Sequence, residues 1–322
     1  MKHAIAALFC LSALSAQAHE FSKLIKDHKY ADADKAASAK LLQDPKNADA
    51  LITKAELILN QGQDARMDEA IKFGEQCAAA HPQHSGCFEI LGSLYSMKAA
   101  NGGMLSAMSN AGKGREALQK AVELDPKNFS ARHFLLMFYL QAPGIAGGGM
   151  DKAQALQQDT AKVNKEAGNL LQARVLMKED KFSQAENLVL AANTGGNEEL
   201  EDIQIAVMAS LGAQYREQKK FTDSERLLHD VIKRAPNNVS GYALLGRTLA
   251  AQGKHEEAIK EYQKALTLED RAGLHYRIAQ SHQAMGDKAR ATQGFEKALA
   301  QKSGLDKKQR EDAEQQLKAL KA

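Results

Sequence analysis

The run "GYALLGRTLAAQGKHEEAIKEYQKALTLED", Gly241 to Asp270, decides the fold. Leu245, Leu249, Ile259, Tyr262, Ala265 and Leu266 recur at helical spacing, and the pattern breaks at Gly253. Two amphipathic helices joined by a tight turn are therefore expected. Gly246 and Ala258 are expected to face each other across the pair, because two helices cross closely only where a side chain is nearly absent.

The same unit recurs along the chain. Four of the five prolines sit alike, in "LLQDPKNADA" (Pro45), "AAAHPQHSGC" (Pro82), "VELDPKNFSA" (Pro126) and "IKRAPNNVSG" (Pro236). Each ends one amphipathic run and presets the turn into the next. Ten residues after each comes Ala55, Gly92, Leu136 or Gly246, and twelve before three of them comes Ala70, Gly114 or Ser224. This pattern resembles the tetratricopeptide repeat, a helix-turn-helix unit of about 34 residues. First-helix anchors fall at Ala55, Gly92, Leu136, Ala173, Gly212, Gly246 and Ala279.

The resemblance implies an all-α fold, a right-handed superhelical solenoid of stacked antiparallel helix pairs. The expected organisation is a short helix pair over 19–47, seven repeat-like pairs over 48–304 and a polar-faced capping helix over 305–322. An array needs such a cap, since its last repeat would otherwise leave an apolar face in water.

The interval from first-helix anchor to second-helix anchor is 12 residues in four units: Ala279 to Ala291, Gly246 to Ala258, Gly212 to Ser224 and Ala173 to Ala185. It grows to 17 for Leu136 to Ala153, 22 for Gly92 to Gly114 and 15 for Ala55 to Ala70. Enlarged turns are expected near 60–68, 98–112 and 142–150, neighbours along one edge of a stacked array. The segment "NTGGNEELED" after Asn193 lies between units, on the opposite edge. The enlarged turns carry Met97, Met104, Leu105, Met108, Ile145 and Met150. Two readings stand: the loops cover each other, or they form a Met-lined surface for an apolar guest.

The first eighteen residues, "MKHAIAALFCLSALSAQA", have a basic start, an apolar run and small residues at Ala16 and Ala18. They read as a secretory signal peptide cut between Ala18 and His19, so a periplasmic or secreted chain is expected. Cys10 would suit a lipoprotein signal, but Phe9 before it is bulkier than the small residue such signals resemble. No stretch is long enough to span a bilayer. The formal charge of +3 becomes about +2 without Lys2, too small and dispersed for nucleic acid or an anionic membrane.

Catalytic and cofactor motifs do not emerge, and no cofactor is expected. "QAPGIAGGGMDKA", Gln141 to Ala153, is glycine-rich but has no hydroxyl residue after Lys152 and follows a helix, so it fails as a phosphate loop. "NAGKGREA" places Gly114 where that hydroxyl would stand. Backbone N–H groups near Gly148 and Gly149 are left as an anion-binding alternative. Cys77, His81, His84 and Cys87 are metal-competent types at close spacing. In an oxidising compartment, a Cys77–Cys87 disulfide across the turn is favoured over two free thiols or a metal site. His275 and His282, seven apart on one helix, are assigned to packing at the core edge.

The repeat resemblance implies a peptide-binding groove lined by the first helices. His133, Arg174, Lys178, Arg216, Arg247 and Tyr276 project onto it, with Ala209, Ala213 and Ala243 between them. The groove is expected to be open and mildly basic. Ala213 and Arg247 stand where carboxylate-clamp repeats would carry asparagine, so that chaperone-tail function is not carried over. The expectation is a non-enzymatic scaffold for a protein or peptide partner. Its alternative is a transporter-associated carrier of an apolar small molecule.

Overall fold

The computed structural model describes residues 19–301 and 304–321. The predicted signal peptide and Cys10 lie outside the described residues. Among those described, the chain forms seventeen α-helices and no strand. Two compact units are present, Met1–Val207 and Met208–Ala322, and the boundary falls inside one helix, α11 (Glu198–Glu217).

The first unit contains α1 (Ser22–Lys26), α2 (Tyr30–Gln43), α3 (Ala48–Asn60), α4 (Met67–Ala80), α5 (Ser85–Asn101) and α6 (Gly103–Leu124). It continues through α7 (Phe129–Gln141), α8 (Met150–Val163), α9 (Lys165–Lys178) and α10 (Phe182–Ala191) into the start of α11. The second unit holds the end of α11, α12 (Phe221–Arg234), α13 (Val239–Ala251), α14 (His255–Leu268), α15 (Ala272–Ala284), α16 (Lys288–Ala300) and α17 (Lys307–Lys321). Helices adjacent in sequence pack on each other from α1 to α10 in the first unit and from α12 to α17 in the second.

The anchors act by their smallness. A Cβ on Gly92 would lie 2.7 Å from Leu118, and one on Gly114 would lie 2.5 Å from the Ser96 hydroxyl and 2.9 Å from the Ser96 backbone N. A Cβ on Gly246 would meet the Tyr262 ring at 2.5 Å. The ring of Tyr262 thus fills the space that Gly246 leaves, while Ala258 is itself fully buried. In the α11/α12 pair the anchor Ser224 turns its hydroxyl onto the carbonyl of Gly212 at 2.8 Å.

The turns between pairs follow from their sequence. In "DPKN", Asp44 Oδ1 accepts from the backbone of Lys46 and Asn47 caps α3 by accepting from Ala50. Asp125 and Asn128 repeat this at α7, and Asn238 caps α13. Each asparagine satisfies a first-turn donor that the helix cannot satisfy itself. Inside the pairs, one residue seven after the anchor turns left-handed: Gly62, Asp180, Lys219, Gly253 and Gly286 have φ between 59° and 80°. Glycine adopts this conformation freely, whereas Asp180 and Lys219 hold it against their own Cβ.

The segment expected as an enlarged loop over 98–112 is instead helical on both sides. α5 runs to Asn101, α6 starts at Gly103, and only the Gly102–Gly103 pair turns the chain, with φ +76° at Gly103. The insertion lengthens both helices because its residues are mostly Ala, Met, Leu and Ser without proline. Ser106 ties the hairpin by donating to the Lys98 carbonyl at 2.8 Å. The other two enlarged turns are looser, each with one 3-10 turn, Asp64–Arg66 and Gly144–Ala146.

Cys77 and Cys87 form a disulfide with their Cα atoms 5.3 Å apart, joining α4 to α5 in a fully buried position. The bond removes both sulfurs from the candidate metal set. His81 instead shares a hydrogen bond with the Lys46 carbonyl at 2.5 Å, and its ring lies edge-on to His84. No helix of the described residues is long and apolar enough to cross a membrane.

Candidate functional site

The six residues projected onto the groove take three different environments. In the first unit, His133 and Arg174 are buried, 4% and 6% exposed, and Arg174 Nε donates to His133 Nε2 at 3.1 Å. Burial, then the charge of Arg174, holds the His133 imidazole well below its ordinary value. Burial pushes Arg174 down to about 10. The pair therefore locks α7 to α9 and does not line an open groove. Helical periodicity projected both onto one face but could not reveal how deeply that face is covered. Lys178, at the end of α9, is exposed.

In the second unit, Tyr276 is also buried. Its hydroxyl donates to Asp312 Oδ2 of α17 at 2.6 Å and accepts from Gln280 at 2.7 Å. The residue holds the capping helix in place and is not a groove residue. His275 pairs with Asp270 at 2.7 Å, and His282 is nearly buried in the seam, so both histidines belong to packing and local pairing.

Arg216 and Arg247 are the two that meet. They line an open cavity of about 500 Å3 with Lys219, Tyr262, Arg277 and Gln280. α11, α13 and α15 each bring one arginine, while Tyr262 rises from α14 behind them. Arg216 is 8% exposed; its Nη2 donates to Glu217 at 2.7 Å, and its buried Nη1 meets no partner among the described residues. Arg277 reaches Gln280 at 3.1 Å and lies over the Tyr276 ring. Burial, followed by the charges of Arg216 and Arg277, pushes Arg247 down to about 10. Burial raises Tyr262 to about 12, against the pull of the three arginines. Arg247 is thus held down by two neighbouring cations on a wall with one carboxylate, Glu217, and such a charge distribution attracts an anion.

The family model that matches is described as the tetratricopeptide repeat, over residues 211–273, which include Arg216, Arg247 and Tyr262. The segment 211–273 is thus similar to the tetratricopeptide repeat. A tetratricopeptide repeat protein from Parabacteroides merdae is 16% identical, covers 94% of this chain and 96% of its own, and has a TM-score of 0.44. A chain of the Cut9–Hcn1 hetero-tetramer of the APC/C is 15% identical over 94% of this chain and 54% of its own, at 0.47. MamA of strain MSR-1 is 24% identical over 46% of this chain and 84% of its own, at 0.36. Scores of that size carry no argument about the array's function. Comparison with curated protein sequences gave no match.

Arg277 and Gln280 were missed by reading the repeats one at a time. Arg216, Arg247 and Arg277 recur at intervals of 31 and 30 residues, and that near-period was the available signal. The glycine-rich stretch has another outcome. Gly147 N donates to the Gly144 carbonyl at 2.9 Å, Gly148 N to Pro143 at 3.2 Å and Gly149 N to Tyr139 at 2.9 Å. The amides proposed for an anion are spent on the turn itself, and Lys152 reaches back to the Gly147 carbonyl.

The apolar residues of the enlarged turns divide. Met97 packs against the core around Leu94 and Met150 against the core around Leu136. Met104, Leu105, Met108 and Ile145 are 80%, 84%, 77% and 100% exposed. The two insertions do not cover these four side chains, because the first one stands up as a helical hairpin rather than folding over as a loop.

Proposed function

We propose that this chain is a non-catalytic, exported scaffold that holds a protein or peptide partner, with the cationic cavity of the second unit as its docking point. The carrying observation is the convergence of Arg216, Arg247 and Arg277 on one open cavity whose lining holds one carboxylate, Glu217, paired to Arg216. Proteins of this repeat family generally act by binding other proteins, and an under-compensated basic cavity selects an acidic segment. The periplasmic placement rests on the signal-like residues 1–18.

The test is cross-linking and co-purification of the tagged chain from the native envelope, beside the charge-reversed variants Arg216→Glu and Arg247→Glu. A specific partner whose recovery falls on charge reversal supports the reading. Recovery that ignores the reversal, or no specific partner at all, ends it. Arg174 is not a suitable position for reversal, since its burial against His133 would turn the experiment into a stability test.

The alternative, a carrier of an apolar small molecule, rests on the exposure of Met104, Leu105, Met108 and Ile145. None of them lines the cavity of the second unit. Native mass spectrometry of the purified protein that shows a retained apolar ligand would favour this reading.

A further inference from the structure

The arginine cavity is more specific than a basic surface, and this inference rests on the reading that it is the binding site. Arg216, Lys219, Arg247 and Arg277 stand on its wall with a single carboxylate, Glu217. Glu217 is 64% exposed and engages only Nη2 of Arg216, which leaves Nη1 buried and directed at no partner among the described residues. No ion pair of Arg247 or Arg277 with a carboxylate exists among the described residues. A guanidinium taken from water without a partner is costly, so the cavity is built for a ligand that supplies several acceptor oxygens and more than one negative charge.

A single carboxylate has two oxygens and one charge, enough for one guanidinium fork. A phosphate-type group offers three terminal oxygens and about two charges at neutral pH, which matches forks that arrive from three helices. We propose that the cavity formed by Arg216, Arg247 and Arg277 is a site for a phosphate-type dianion, with Tyr262 as its floor and Gln280 as a neutral hydrogen-bonding partner. The dianion is either free phosphate or a phosphoryl group carried by the partner.

Isothermal titration calorimetry on the full mature chain tests this with inorganic phosphate, O-phosphoserine and succinate at low ionic strength. Phosphate is expected to bind once per chain and at least about tenfold more tightly than succinate, because bidentate guanidinium contacts to a dianion are the stronger kind. Arg247→Gln and Arg277→Gln, both at partly exposed positions, are each expected to weaken phosphate at least about tenfold, whereas Lys233→Gln, on the exposed end of α12, leaves it unchanged. Phosphoserine binding at least as well as phosphate assigns the site to a carried phosphoryl group; much weaker binding assigns it to a free anion. Absence of saturable phosphate binding, binding unaltered in both arginine variants, or succinate equal to phosphate overturns the proposal. The wild-type comparison of phosphate with succinate needs no variant to fold. Should phosphate fail while partner capture still depends on Arg216 and Arg247, only this inference falls; phosphate binding without any partner removes the scaffold reading instead.

Discussion

Single buried groups set the pH behaviour of the first unit. Glu89 is fully buried between α5 and α7, where Ser130 Oγ donates to one oxygen at 2.5 Å and Asn128 Nδ2 to the other at 2.8 Å. Burial raises its carboxyl from 4.5 to about 8, against those two hydrogen bonds, with a smaller push from the charges of Glu199 and Glu56. The folded state therefore holds this proton while the unfolded chain releases it near 4.5. Stability contributed by the protonated form is complete below that value and is lost as pH rises toward 8. Glu89→Gln keeps a neutral group of the same shape. It is expected to stabilise the protein by about 4 kcal/mol at pH 8 and by under about 0.5 kcal/mol at pH 4.5. Urea unfolding of both proteins across that range reads the difference, and a gap that stays constant with pH refutes the assignment.

The elements were largely legible from spacing. Anchor positions, the turns at Pro45, Pro126 and Pro236 and the Cys77–Cys87 bridge all follow from residues whose local chemistry has few alternatives, whereas the asparagine caps that close those turns came from the structure. The hairpin of α5 and α6 was not legible as helix, because an added length in a turn does not say whether it is coil or extended helix; the absence of proline between Pro82 and Pro126 was the clue. Burial of His133, Arg174 and Tyr276 was hidden for a different reason. A helical projection gives a face, and what covers that face comes from distant segments such as α17 over Tyr276. The turn regularity yields a direct test. Asp180 occupies the left-handed position that glycine fills in other pairs, so Asp180→Gly is expected to stabilise by about 0.5–1 kcal/mol, read as an increased urea midpoint. The bridge yields another: reduction of Cys77–Cys87 should remove about 2–3 kcal/mol, and titration without reductant should find no reactive thiol at either position. Two reactive thiols before reduction would contradict the buried bond.

At the scale of the whole chain, the mode of stabilisation matters more than any one contact. Repeats contact their sequence neighbours, so stability is expected to be distributed along the array instead of residing in one core. α17 closes the second unit by burying Ala313 and packing Leu317 and Leu320 against the cluster that holds Phe295 and Ala298, while Asp312 accepts from Tyr276. The double variant Leu317→Ala, Leu320→Ala removes part of that apolar cover, worth roughly 1–2 kcal/mol per side chain. If the array is quasi-one-dimensional, amide hydrogen exchange should accelerate in α15, α16 and α17 and stay unchanged in α3 to α6, where the disulfide and the Gly92–Gly114 crossing hold the chain. Equal acceleration in every helix would mean that the chain unfolds as a single cooperative body. Faster exchange confined to the cap would also expose Tyr276, next to Arg277, and so lower the affinity of the cationic cavity without any change in its own residues.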